Sequence, residues 1–307
     1  MAVAAQVAAG RGGMTAATPR AGLVLALVGA VLFSGKAIIV KLAYRHGVDA
    51  VTLLMYRMAL ALPLFMALAW WSGRGRAALT ARDWRTVLGL GFTGYYLASF
   101  LDFAGLQYIT ASLERLILYL NPTLVLLLSV LVLKKPVGAR QLLALAVSYA
   151  GVLLVFGHEA RFSGEHTLWG ALLVFGSAAS YAVYLVKSGE EVQRLGALRL
   201  TGLASSVASV LCIVQFLLLR PPSAALVPAP VFWLSVLNAL ACTFAPVLLM
   251  MMAVERIGAP LAAQAGMVGP LSTLALGVLL LGEPLNAWIG AGTALVLTGV
   301  WLLARWR

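Results

Sequence analysis

Apolar runs of about 20 residues follow one another from Ala21 to Ala304, parted only by short polar joints. That length matches the hydrocarbon core of roughly 30 Å that a helix must cross. The pattern predicts ten transmembrane helices, over about 21–43, 50–71, 85–106, 110–133, 137–156, 168–187, 198–219, 231–253, 258–281 and 286–304. The joints leave no room for a soluble domain. The fold class that follows is an all-α polytopic membrane protein, in which each helix satisfies its own backbone as lipid demands.

The runs also repeat. An offset of 148 carries Ile109, Pro122, Pro136 and Gly151 onto Ile257, Pro270, Pro284 and Gly299, and Gly22 onto Gly170. Two halves are therefore read, residues 21–156 and 168–304, with five helices each. Because five is odd, the second half must enter the membrane from the opposite side. Two inverted five-helix repeats form the architecture in which related gates open alternately on a central site.

Composition agrees with this reading. Hydrophobic residues make up 62%, charged residues 10%, and mean hydropathy is +0.98, against roughly 25% charged residues in soluble domains. The net charge of +12 is explained by joints on one side rather than by nucleic acid. With the N-terminus inside, the inner joints and ends hold Arg11, Arg20, Arg74, Arg76, Arg82, Arg85, Lys134, Lys135, Arg140, Lys187, Arg194, Arg199, Arg256, Arg305 and Arg307. The outer ones hold only Lys41, Arg45, Arg161 and Arg220. This asymmetry predicts a multi-pass protein of the cell's inner (plasma) membrane with both termini cytoplasmic. Residues 1–20 read as a disordered cytoplasmic tail, too weakly apolar for a secretory signal. Tryptophans near the helix ends read as an aromatic belt. Cys212 and Cys242 read as packing residues, and His46, His158 and His166 as surface residues of outer joints; none has metal-ligand spacing.

Two prolines fall deep in predicted helices. Pro122 follows Asn121 in helix 4, and Pro270 follows Gly269 at the equivalent depth of helix 9. Proline removes a backbone donor and clashes with the preceding turn. Paired interruptions are expected of hinges or binding platforms at a repeat interface, and static kinks are the alternative.

Five intramembrane charges stand out: Lys36, Arg57, Asp102, Glu114 and Arg115. Each costs about 2.5–3.5 kcal/mol at the bilayer centre, so such residues face a partner or an aqueous cavity. Their depths agree, and they form one layer of three cations and two acids in the outer half-membrane. The same offset places Tyr184, Ser205, Met250, Ala262 and Ala263 at the equivalent positions of the second half, which lacks the layer. Tyr95, Ser99 and Asp102 form a polar stripe on helix 3, and Glu114 shares a face with Asn121 on helix 4. Gln264 is a candidate for the opposite wall. The layer reads either as a solute and proton site, with Asp102 or Glu114 taking an amine or a proton, or as an ion-pair network that locks the first half.

The segments LQYITASLERLILYLNPTLVLLLSVLVLKKP and VERIGAPLAAQAGMVGPLSTLALGVLLLGEP, with Tyr56–Arg57 and the run LFSGKAIIVK in support, resemble the EamA-type members of the drug/metabolite transporter superfamily. The likeness spans about residues 21–304. It implies ten helices in two inverted repeats and transport of small organic solutes or metabolites, often outward. Lys36 and the Glu114–Arg115 pair depart from the pattern.

The expected function is a secondary transporter of a small polar metabolite, such as an amino acid, with the bilayer and possible proton coupling as its other partners. The layer's formal charge of +1 favours an acidic or zwitterionic solute. No GxxxxGK[ST] loop is present and no cofactor is implied. A lipid-handling protein or enzyme using Asp102 and Glu114, and a passive facilitator, are the alternatives from other classes.

Overall fold

The computed structural model describes residues 19–133, 138–162, 166–257 and 268–305. The ten predicted helices correspond to ten helical stretches among them. They are α1 (Pro19–Tyr44), α2 (Ala50–Gly73), α3 (Ala81–Gly105), α4 in two parts (Ala111–Leu118 and Asn121–Leu133), α5 (Ala139–Phe162), α6 (Thr167–Leu195), α7 (Ala197–Leu219), α8 (Ala229–Ile257), α9 (Gly269–Leu281) and α10 (Ala287–Arg305). Eight of the described helices are long and apolar enough to cross a membrane, and two shorter apolar stretches accompany them. The N-terminal tail read over residues 1–20 falls almost wholly outside the described residues, as do Gln264 and Pro136.

Side-chain chemistry explains the helix starts. Asp49 caps α2 by accepting from the amides of Val51 and Thr52. Thr80 and Asp83 form a reciprocal capping box, which starts α3 at Ala81 rather than near position 85. Thr110 caps α4 through the amide of Leu113 at 3.0 Å. The joint expected after Lys187 is helical instead: α6 runs on to Leu195 and ends at Gly196 with φ +83°.

The main surprise inside the helices is π-helical register. It covers Gly91–Leu97 of α3 and Leu240–Phe244 of α8, near-equivalent stretches of the two repeats, and also Gly277–Leu281 of α9. Such wide turns shift every later side chain around the axis and often occur at functional sites.

The helices pair mainly between halves. α1 packs on α8 and α9, α2 on α7 and α8, α3 on α6 and α7, α4 on α6 and α9, and α5 on α10. Exchanging equivalent helices converts α1–α8 into α6–α3 and α1–α9 into α6–α4, and leaves α2–α7, α4–α9 and α5–α10 as they are. Individual residues obey the same exchange. A Cβ at Gly170 would stand 2.7 Å from Tyr108 Cβ and 2.9 Å from Ile109 Cγ2, while one at Gly22 would meet Arg256 Cβ at 2.9 Å and Ile257 Cγ2 at 2.5 Å. On α5 and α10, Gly151 meets the carbonyl of Gly292 and Gly299 meets that of Ala144, so the two helices run antiparallel. Only glycine permits such approaches, and in lipid close packing supplies much of the attraction between helices.

Large apolar side chains face outward, among them Leu153, Leu217, Leu218 and Leu279. In lipid this is the expected solvation, where in water it would be a liability. Trp70, Trp71, Trp84, Trp169, Trp233, Trp288 and Trp301 are all exposed, as a membrane belt requires. Cys212 and Cys242 are buried free thiols. His46 and His166 are exposed, but His158 departs from the expected surface position: it is half-buried on α5 with its ring 6.2 Å from Trp288. Below, the face of the bundle carrying Pro19 and Arg305 is the terminal face, and the other is the distal face.

Candidate functional site

Helices α1, α3 and α4 bring three of the five charges into direct contact. Lys36 Nζ lies 2.5 Å from Asp102 Oδ2 and 3.3 Å from Glu114 Oε1, with all three side chains at most 7% exposed. The lysine therefore bridges two carboxylates that would otherwise repel. Neither oxygen of Glu114 has a hydrogen-bond partner among the described residues, although Lys36 stands 3.3 Å from Oε1. Asp102 Oδ1 is bare as well. A buried carboxylate without donors is costly, so a group that brings one is favoured there.

Arg57, on α2, lies beside this triad. Its guanidinium sits 5.2 Å from the centre of the Phe103 ring, and Nε donates to Thr243 Oγ1 at 2.8 Å. Thr243 belongs to the π-helical turn of α8 and donates in turn to the carbonyl of Asn238, five residues back. Arg57 Nη1 and both side-chain polar atoms of Asn238 are buried without a partner among the described residues. The site thus holds a bare cationic donor next to bare carboxylates.

Arg115 turns to the second repeat. Nε donates to Thr273 Oγ1 of α9 at 2.9 Å and Nη2 to the carbonyl of Phe33 at 3.2 Å. Lys36 and Arg115 both lie near the Phe33 ring, at 5.7 and 5.5 Å from its centre. Ser34 Oγ reaches the carbonyl of Gly269 at 2.9 Å, which closes α1 onto the start of α9.

The polar stripe read on α3 is divided by its π-helical turn. Tyr95 directs its hydroxyl to that of Tyr184 at 3.3 Å and its ring packs edge-on at 5.2 Å, with Tyr181 stacked behind. Tyr184 is the repeat counterpart of Lys36, so a tyrosine hydroxyl stands in the second half where the lysine stands in the first. Ser99 is half-buried on the same helix. The shared face expected of Glu114 and Asn121 assumes one continuous helix, whereas α4 is interrupted at Tyr119–Leu120. Asn121 begins the second part, half-buried, with Oδ1 unpartnered among the described residues. Pro122 stands in the first turn of that part and Pro270 in the first turn of α9, where a missing N–H costs no helical bond. The prolines thus mark helix starts rather than kinks within continuous helices.

Sequence reasoning missed three further groups. Glu159 accepts from the Thr110 hydroxyl, Glu283 accepts from the amides of Ala111 and Ser112, and Lys41 Nζ donates to the carbonyls of Leu106 at 3.1 Å and Ile109 at 2.9 Å. All lie about the start of α4, near predicted helix ends, where a charge looks solvated.

The fold is that of an all-helical membrane protein built from two repeats. Two stretches, residues 20–157 and 168–305, match the EamA-like transporter family. The chain belongs to that family. It is 31% identical over 294 residues to the uncharacterized transporter YcbK of Bacillus subtilis, covering 91% of this chain and 92% of that protein. It is 25% identical over 233 residues to the uncharacterized transporter YetK of the same organism, covering 75% and 70%. An uncharacterized transporter of Archaeoglobus fulgidus is 27% identical over 192 residues, covering 62% and 65%. A solved crystal structure shares the fold, with a TM-score of 0.63 at 19% identity over 92% of this chain and 97% of that one.

Proposed function

We propose that the protein is a secondary transporter that moves small polar, zwitterionic metabolites such as amino acids outward by alternating access. The observation that carries this reading is the pairing of Lys36 with Asp102 and Glu114 beside Arg57, buried between the repeats with Glu114 and Arg57 Nη1 still lacking hydrogen-bond partners among the described residues. Glu114 and Asp102 supply acceptors for an ammonium group, and Arg57 with Asn238 supplies donors for a carboxylate. Glu114 also carries the coupling proton: a solute ammonium that displaces Lys36 leaves this carboxylate the group whose charge must change hands. Arg115 holds the frame of the site through α9 rather than the solute.

The repeats are inverted, which the antiparallel contact of α5 with α10 and the exchange of equivalent contacts support. Both termini are cytoplasmic, a reading supported by the distribution of basic residues. Outward direction rests on the family likeness. Hinge motion centres on Pro122 and Pro270, at the starts of two helical parts that meet the site from opposite repeats. The test is uptake of labelled amino acids, organic acids and amines into proteoliposomes with and without a proton gradient. Gradient-dependent uptake of an amino acid, abolished in Arg57→Ala, supports the reading; uptake by diffusion alone, insensitive to that substitution, contradicts it.

A further inference from the structure

Glu283 makes a contact that solute binding does not use. It comes from the joint between α9 and α10, in the second repeat, and reaches the first turn of α4 in the first. There its carboxylate accepts from the amides of Ala111 at 2.7 Å and Ser112 at 3.2 Å, and from the Ser112 hydroxyl at 2.6 Å. Free amides and the positive end of the helix dipole make this a favourable place for a carboxylate. Beside it, Arg45 Nη2 donates to the carbonyl of Leu281 at 2.7 Å, again from the first repeat to the second. The helix so gripped carries Glu114 less than one turn farther on.

A cavity of about 760 Å³ opens on the distal face and is lined by Lys41, Gln107, Thr110 and Glu283, among others. The gripped turn of α4 forms part of its wall. Glu114, on the same short helix, has a side-chain exposure of 0%. The cavity and the charged layer are thus separated where Glu283 holds α4.

At the terminal face the repeats are fastened by different groups. Arg194, on the helical extension of α6, pairs with Asp83 of the α3 capping box. Arg76 donates to the carbonyl of Leu195 at 2.5 Å, and Arg199 to that of Ala77 at 3.1 Å. These contacts join the α2–α3 joint to the α6–α7 joint. Each fastening lies at a helix end with one partner open to water: the Arg194 side chain is 47% exposed and Glu283 lines the distal cavity.

We propose that Glu283 on α4 is the distal gate and Arg194 on Asp83 the terminal gate of one transport path, each latching the two repeats together at its own face. Release of either latch exposes the charged layer to that face alone. The inference rests on the alternating-access reading, but its test does not require a transported solute.

Ser99→Cys, on α3 one turn before Asp102, serves as reporter in a Cys212→Ser, Cys242→Ser background, with a membrane-impermeant maleimide applied to each face of oriented vesicles. A terminal tag identifies the faces. Glu283→Ala is expected to raise the labelling rate from the distal face by about tenfold, as loss of a charge-assisted contact implies, and to leave the terminal face unchanged. Arg194→Ala does the reverse, and Glu283→Gln, which keeps one acceptor, gives a smaller distal rise. Monodisperse elution and the thermal midpoint establish folding; should Glu283→Ala fail to fold, Glu283→Gln carries the test. Unchanged distal labelling in a folded Glu283 variant, or an equal rise from both faces, overturns the proposal. Failure of the transport reading shows instead in the uptake assay.

Discussion

Lys36 and Asp102 touch across 66 positions of sequence, Nζ to Oδ2 at 2.5 Å, with side chains only 7% and 3% exposed. Without that ammonium, the carboxylates of Asp102 and Glu114 face each other out of reach of solvent. Removing one partner of a buried ion pair costs about 3–5 kcal/mol. Lys36→Met is therefore expected to lower the thermal midpoint of the purified protein sharply. Adding Asp102→Asn to the same chain should recover part of the loss, because one uncompensated charge then disappears. The check is thermal unfolding of the two variants and the parent in one detergent.

The packing of α5 on α10 makes a prediction about one atom. A Cβ at Gly299 would meet the Ala144 carbonyl and the Ser148 amide, both at 2.7 Å, whereas one at Gly290 on the same helix would meet nothing within 4 Å. Gly299→Ala is expected to destabilise by about 1–3 kcal/mol through overpacking. Gly290→Ala should be neutral or slightly stabilising, since alanine favours helix by up to about 1 kcal/mol. Parallel melting curves separate the two positions, and a similar loss at both would remove the close-packing account.

A pH effect is expected at Asp49, which lies between α1 and α2. Burial opposes its ionisation, but the Thr52 hydroxyl and amide together with Arg220 outweigh that and hold its carboxyl below the ordinary value of 3.8. A group depressed on folding contributes stability that is fully present above its unfolded value and is lost as pH falls through the folded one. Asp49→Asn should thus lower stability slightly near neutrality and flatten its fall below about pH 4, where parent and variant converge. The effect is small, since the Asp49 and Arg220 side chains are 33% and 41% exposed. Unfolding followed across pH for parent and variant checks it.

Much of this fold is legible in the sequence because lipid imposes a simple rule on every helix. Apolar length sets the spans, and the offset of 148 reveals two repeats whose equivalent residues make equivalent contacts. The charged layer is legible too: Lys36, Asp102 and Glu114 share a depth and prove to touch. Register is harder to read. The π-helical turn at Gly91–Leu97 has no compositional signature, and it divides the stripe that spacing drew from Tyr95 to Asp102. The break at Tyr119–Leu120 likewise undoes the face assigned to Glu114 and Asn121. Glu283 escapes notice for another reason: its partners are backbone amides 172 and 171 positions away, and amides leave no mark in a sequence. The Thr80–Asp83 capping box, by contrast, is a local signal that could have started α3 correctly.

Glu114 and its neighbours are proposed to bind the transported solute. The most direct measurement is solute-dependent thermal stability of the purified protein, with a panel of amino acids, organic acids, amines and nucleosides, repeated on Glu114→Gln. A solute that binds only the folded state at about 100 times its Kd adds about 2.7 kcal/mol of stability. An amino acid that raises the midpoint of the parent and loses that effect in the variant is the predicted result. A stabilising solute that acts equally on both proteins would contradict the claim and leave Glu114 a role in the frame alone.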